Sequence, residues 1–433
     1  MELTLKSSLM RRLLALVEAV IVAALVVWIS KTYFASRSGR QLNAQDLQTA
    51  ARLDPGNADY HLMMGRLAQY NVADMNPDLA MESLRRAAEL NPRDPQPWLE
   101  LAAAYGFQGK NGPAEACLRR ADFLAPSLPS VQWVIGNFFL LRGENDEAFR
   151  HFRVVLSGSN QYNQTLFKIA WKAADDGQKI LEGLIPDRVP IEIDYLYFLM
   201  AEKHYPEAMA VWKRIAASGE SFAPAQVASY IDQLIVARYP AEAHEVWDDL
   251  KSKGLVKPTY EASSQNLLVN ADFEDEILNL GFDWRMRPVE GVYVGLDGSN
   301  YHSPSHALLI RFTGKTNLGY RLAYQFVPVE PGQSYRLRGF LKGEGITTDS
   351  GPRLSVHDAY DIGALQKLSE MVTGTTVGWT QIILDFTTGP KTELIMVSVA
   401  RLPSSKIDNQ IDGKVWVDDL SLVATPAGGA HPR

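Results

Sequence analysis

Residues 95–126 read PQPWLELAAAYGFQGKNGPAEACLRRADFLAP, and the fold of half the chain follows from them. Apolar and small residues recur at helical spacing in two runs, Trp98, Leu101, Ala102 and Tyr105, then Ala114, Leu118 and Ala121. The break that ends this stretch, Leu124-Ala125-Pro126, has counterparts at Leu53-Asp54-Pro55 and Leu90-Asn91-Pro92, spaced 37 and then 34 residues apart. Proline beyond the last turn cannot continue a helix, so the spacing predicts repeated helix pairs. Ala102 with Ala114, Gly65 with Ala80, and Gly136 with Ala148 fall where the two helices of a pair cross, and larger side chains there would splay them. The pattern returns as Ala208, Trp212 and Ile215, then 35 residues later as Ala243, Trp247 and Leu250. Between Asn160 and Val189 lies one degenerate unit carrying Leu166, Ile169, Ala170 and Trp171.

Trp98, Leu101, Ala102, Tyr105, Ala114, Leu118, Ala121 and Pro126 match the Trp, Leu, small, Tyr, Ala, Leu, Ala and Pro positions of a tetratricopeptide repeat, a family this segment resembles. The resemblance implies an α-solenoid over residues 43–254 whose groove, lined by the first helix of each pair, holds a protein partner. In that register the inward residues include Leu62, Arg66, Gln69, Leu99, Ala103, Trp133 and Asn137. Trp133 is displaced by one residue from the packing position; it either anchors a peptide or packs on the next unit. The single cysteine, Cys117, reads as a small core residue and excludes an intramolecular disulfide or a Cys-based zinc site.

After a tail over 1–12, Leu13 to Ile29 reads LLALVEAVIVAALVVWI, with Glu18 its one charge. This predicts a transmembrane helix over 13–29, with Trp28 and Tyr33 at the far interface. A cleaved signal peptide is the rival, disfavoured because the run is long and Phe34-Ala35-Ser36 is a poor cleavage site. Lys6, Arg11 and Arg12 on one side balance Lys31, Arg37 and Arg40 on the other, so charge leaves the orientation open.

Beyond a linker at 255–265 the period changes from helical to alternating. Leu322, Tyr324 and Phe326 alternate with Arg321, Ala323 and Gln325, and Tyr335, Leu337, Gly339 and Leu341 with Arg336, Arg338 and Phe340. Further runs at 382–386, 395–399 and 415–417 complete the pattern of a two-sheet antiparallel sandwich over 266–425, followed by a tail at 426–433. The phrases NLLVNADFE (266–274), FDW (282–284), EPGQSY (330–335), GWTQ (378–381) and VWVDDLSL (415–422) are similar to those of carbohydrate-binding modules with the galactose-binding-like jelly roll. That resemblance implies a structural calcium ion held by Glu274 and Asp418. Glycan contacts would come from exposed aromatic and planar polar side chains, the candidates being Tyr293, Tyr301, Tyr320, His357 and Tyr360, with Arg336 and Arg338 as donors.

The 433 residues, 46% hydrophobic and 21% charged, suffice for two or three domains at about 150 residues each. A net charge of −7 gives nucleic acid no basic surface to bind. Gly314-Lys315-Thr316 lacks the upstream glycine of a phosphate loop, and His244-Glu245 lacks a second histidine of a zinc-protease helix. The expectation is therefore a multidomain, non-enzymatic scaffold: transmembrane helix, α-solenoid with a protein partner, and a sandwich that binds or senses a polysaccharide. The combination resembles bacterial envelope proteins of exopolysaccharide or cell-wall assembly, which implies single-pass insertion in the inner membrane with the soluble part periplasmic. Two alternatives stay open: a glycoside hydrolase or lyase using an acid pair such as Asp358 and Asp361, and a pure protein scaffold.

Overall fold

The computed structural model describes residues 8–40, 43–72, 75–257, 259, 262–263, 265–287, 289–407 and 409–426. The first seven residues of the expected amino-terminal tail, parts of the 255–265 segment and the tail from 427 onward lie outside them. The chain forms two compact units, Met1–Asp187 and Arg188–Arg433.

The first unit is helical: α1 (Ser8–Gly39), α2 (Ala44–Leu53), α3 (Ala58–Tyr70), α4 (Pro77–Leu90), α5 (Pro95–Phe107), α6 (Asn111–Leu124), α7 (Pro129–Leu141), α8 (Asn145–Gly158), α9 (Asn163–Ala174) and α10 (Gly177–Gly183). Each of α3, α5 and α7 packs chiefly on the helix that follows it. Helix starts are set by Asn43, Asn57, Asn76 and Asp94, whose side chains accept first-turn N–H groups at 2.9–3.0 Å. The small residues sit at the crossings: a Cβ on Gly65 would lie 2.6 Å from Leu84 Cδ2, and one on Gly136 2.5 Å from Phe152 Cε1. Helix α1 is long and apolar enough over Arg12–Gly39 to cross a membrane, and its run from Leu13 to Ile29 is exposed throughout. It does not stop there: Ala35 is buried and Gly39 lies against the Tyr60 ring, so its last turns join the helix stack without a hinge.

The second unit begins with α11 (Val189–Glu202), α12 (Tyr205–Ala217), α13 (Ala228–Val236) and α14 (Pro240–Ser252) and continues into two five-stranded antiparallel sheets. The strands are β1 (Arg285–Met286), β2 (Val292–Asp297), β3 (Ala307–Thr313), β4 (Tyr320–Pro328), β5 (Ser334–Glu344), β6 (Arg353–Asp358), β7 (Gln366–Met371), β8 (Thr380–Thr387), β9 (Leu394–Arg401) and β10 (Asp412–Thr425). One sheet has the order β1-β4-β9-β6-β7 and the other β2-β3-β10-β5-β8. Their inner faces share one core that includes Phe273, Trp284, Leu337, Val397 and Val417.

By contacts the chain divides after Asp187, so α11–α14 fall in one unit with the sandwich, whereas the linker expected from the sequence stood at 255–265. Trp247 of α14 is buried beneath Gly281 and edge-on to Phe282. Gly281 has φ 57°, and any side chain there would meet the indole. Arg285 of β1 reaches Asp232 of α13 at 2.5 Å, a second tie between helices and sheet.

Candidate functional site

The outward face of the β1-β4-β9-β6-β7 sheet carries a cleft of about 520 Å³, with Asp232, Ile235 and Val236 of α13 along one side. Directly paired residues of antiparallel strands share a face, so its floor can be read in rows. One row runs Arg285, Tyr324, Ser398, Ser355, Leu368, and beside it lies Phe326, Met396, His357, Gln366. On the other flank Arg321, Ala400 and Arg353 form a third row, in which Arg321 and Ala400 line the cleft and Arg353 stands just beyond its lining. The serines leave a trough between Tyr324 and Leu368.

The alternation along β4 predicts Tyr324 and Phe326 on the same face as Leu322. The structure corrects this: a bulge between Arg321 and Ala323 changes the parity, so Leu322, Ala323 and Val327 enter the core while Tyr324 and Phe326 line the cleft. Gln325 consequently points inward. Its Oε1 accepts from Val269 N at 3.1 Å and its amide donates to Val269 O at 3.0 Å, taking the place of a strand neighbour.

Arginine dominates the lining. Arg285, Arg287, Arg321 and Arg401 line the cleft with Asp232 the one carboxylate among the described lining residues. Arg287 lies over the Tyr324 ring at 5.7 Å and Arg285 over Phe326 at 5.5 Å. His357 is 6% exposed, and burial, with the nearby charge of Arg321, pushes its pKa down to about 4. It is therefore neutral near pH 7. Ser398 is fully buried and its hydroxyl has no hydrogen-bond partner among the described residues.

The glycan candidates read from the sequence divide between the two sheets. Tyr320 borders the cleft with its ring packed against the sandwich core, and buried His357 pairs with Met396 in a floor row without being among the lining residues. Tyr360 follows β6, its ring under the Arg238 guanidinium at 5.3 Å and its hydroxyl buried, which pushes its pKa up to about 12. Tyr293, Tyr301, Arg336 and Arg338 lie elsewhere: Tyr293 and the arginines on strands of the other sheet, Tyr301 in an exposed loop. Arg336 is held bidentately by Asp385 at 2.7 and 2.9 Å. The residues that sequence reading missed are Arg285, Arg287, Arg321, Phe326, Ser355 and Ser398. The alternation of β4 gave no signal for them, because it sets Gln325 with Arg321 on the outward side and the bulge that reverses this is visible only in the structure.

Glu274 and Asp418 clamp one loop. Glu274 Oε1 accepts from Ser305 N and His306 N at 2.9 Å each, and Asp418 Oδ2 from His302 N and Ser303 N at 2.7 and 3.1 Å. Burial pushes the Glu274 carboxyl up, but the bonds from Ser305 and His306 outweigh it and hold its pKa near 2. Burial raises the Asp418 pKa. Both carboxylates already accept hydrogen bonds from the loop, and among the described residues no group of three or more His, Cys, Asp or Glu side chains is arranged for a metal ion. Asp358 and Asp361 are turn caps, Asp358 accepting from Tyr360 N and Asp361 N, and Asp361 from Gly363 N.

In the helical unit the expected groove changes character. Leu62 and Leu99 are core residues, 8% and 5% exposed, because helical rotation carries them between neighbouring helices. Arg66 bonds Glu100 at 2.6 Å and Gln96 at 3.0 Å, Gln69 keeps a buried amide without a partner among the described residues, and Asn137 donates to Trp133 O. The Trp133 ring stacks on Tyr162 at 4.9 Å and leans on Phe152 at 5.7 Å. Exposed apolar residues include Tyr70, Phe107 and Leu141, the last residues of α3, α5 and α7, together with Phe123 near the end of α6.

No protein-family model matches the sequence, and no curated protein matches it. Among solved structures the chain is similar to MamA, at 16% identity and TM-score 0.29 over 46% of this chain and 98% of that one. It is similar to the CBM22-1 xylan-binding domain of Paenibacillus barcinonensis Xyn10C, at 11% identity and TM-score 0.26 over 39% and 100%. A third similarity is to the enzymatically active domain of tailspike protein 4 of bacteriophage CBA120, at 16% identity and TM-score 0.25. It covers 37% of this chain, which spans only 21% of the tailspike's length.

Proposed function

We propose that this chain is a membrane-anchored binding protein whose sandwich holds a polysaccharide in the cleft on the β1-β4-β9-β6-β7 face and whose helix pairs dock a protein. The observation that carries the reading is the cleft's lining, the half-buried Phe326 ring and the neighbouring Tyr324 ring beside serine, glutamine and arginine side chains. Rings stack on sugar faces, and planar polar groups bond their hydroxyls. Binding is favoured over cleavage because glycosidases need two carboxyl groups about 5–10 Å apart. Asp232 is bonded to Arg285, and Asp358 and Asp361 are occupied as turn caps. The test is calorimetry with a panel of soluble polysaccharides against the wild type and Phe326→Ala. Retention of a glycan that Phe326→Ala weakens supports the reading, whereas release of shortened oligosaccharide supports the hydrolase alternative.

The protein-docking surface is proposed at Tyr70, Phe107 and Leu141, which repeat along one edge of the helical unit with the same spacing of 37 and 34 residues as the helix breaks. Single alanine substitutions there should weaken partner capture without lowering the melting temperature. Insertion of α1 in a bacterial inner membrane, with the soluble part periplasmic, belongs to the same proposal, and a reporter active only in the periplasm, fused after Arg433, is expected to be active. Calcium at Glu274 and Asp418 is proposed as an added tie on the loop they share, since all-oxygen donors suit a hard cation. It should raise the melting temperature, and EDTA should reverse the rise.

A further inference from the structure

The charge of the cleft says more about its ligand than its shape does. The whole chain has a net charge of −7, yet this face gathers arginines. Two of them are spent on structure. Arg285 is held by Asp232 and by Gly281 O at 2.7 Å, and the buried Arg401 guanidinium bonds Ser350 O, Asn317 Oδ1 and Asn409 O. Arg287 and Arg321 are exposed and have no carboxylate partner among the described residues. Arg353 bonds Ser350 Oγ at 3.4 Å and Met371 Sδ at 3.0 Å, and its buried Nε has no partner among the described residues.

Register places Arg321 and Arg353 on either side of Ala400, roughly 10 Å apart at the backbone, which is two interstrand spacings. The alanine methyl between them leaves room for an anion. In the next row Ser398, fully buried between Tyr324 and Ser355 with its hydroxyl unpartnered among the described residues, lies beneath the floor and out of a ligand's reach. His357, neutral near pH 7, is a hydrogen-bonding group here and not a further cation. Uncompensated guanidinium groups repel one another and suit planar, bidentate recognition of carboxylates.

We propose that the cleft takes an acidic polysaccharide, with a uronate carboxylate seated between Arg321 and Arg353 above Ala400; this rests on the carbohydrate reading of the same cleft. The probes are polygalacturonate, alginate, and the highly methyl-esterified form of polygalacturonate, which keeps the backbone and removes the charge. Binding of an acidic probe should be at least about tenfold tighter than that of the ester and should weaken with added salt. Arg321→Gln and Arg353→Gln should each cost the acidic probe roughly tenfold and cost the ester markedly less. Arg321 is exposed, so an unchanged melting temperature for Arg321→Gln separates recognition from folding. Equal binding of the ester and the acid, or retention of neutral glycans alone, overturns the acidic ligand and leaves the carbohydrate cleft standing. No retention of any polysaccharide overturns both.

Discussion

The outward faces of the two sheets carry similar residues and differ in what surrounds them. On the β2-β3-β10-β5-β8 sheet several charges are matched, Arg336 with Asp385 and Lys414 with Glu344, and Lys342 and Lys414 lie over the buried Trp416 ring at 5.8 and 5.7 Å, while exposed Arg311 and Arg338 have no carboxylate partner among the described residues. On the β1-β4-β9-β6-β7 sheet Arg321 and Arg353 flank Ala400 without a carboxylate, and a serine hydroxyl is buried unpaired. A buried donor left unmatched loses stability unless water or a ligand completes it. What separates the two faces is the cleft and the rings that line it, and these locate the candidate site.

The comparison breaks most visibly at Gln325. Gln325→Leu removes both bonds to Val269 and leaves that buried backbone unpaired, so unfolding in urea should show a loss of about 2–4 kcal/mol. A loss under about 0.5 kcal/mol would mean that the amide does not hold the turned register of β4. Next in size is the pH dependence of His357. The native ring titrates near 4 and an unfolded one near 6.5, so between those values the unfolded chain binds more protons. Stability should therefore fall as pH drops from about 6.5 to 4, with no further contribution from this group below that, and His357→Gln should flatten the slope in that window. Phe326→Ala should weaken glycan binding by roughly tenfold, whereas Arg336→Ala, on the other sheet, should leave it unchanged. Equal effects would remove the distinction between the faces. The smallest effect expected is that of Asp385→Asn, under about 0.5 kcal/mol by chemical denaturation, because exposed ion pairs contribute little.

Local chemistry carried much of the architecture. Proline breaks, Asn and Asp caps and the Gly–Ala crossings act within a few residues of where they stand, so the helix pairs were legible without knowledge of their neighbours. The strict alternation of β5 was legible for the same reason, and Tyr335, Leu337 and Leu341 are buried as it requires. The parity of β4 was not, because the bulge after Arg321 is supported by a bond from Gln325 to a residue 56 positions away. Trp133 meets Tyr162 of a later turn, and Trp247 is covered by Gly281 across the change from helix to sheet. Sequence by itself determined which segments are helix and strand and which residue types the sandwich offers a ligand. Tertiary structure decided which arginines go unpaired and which aromatic rings face the cleft, since both depend on partners supplied by strands distant along the chain.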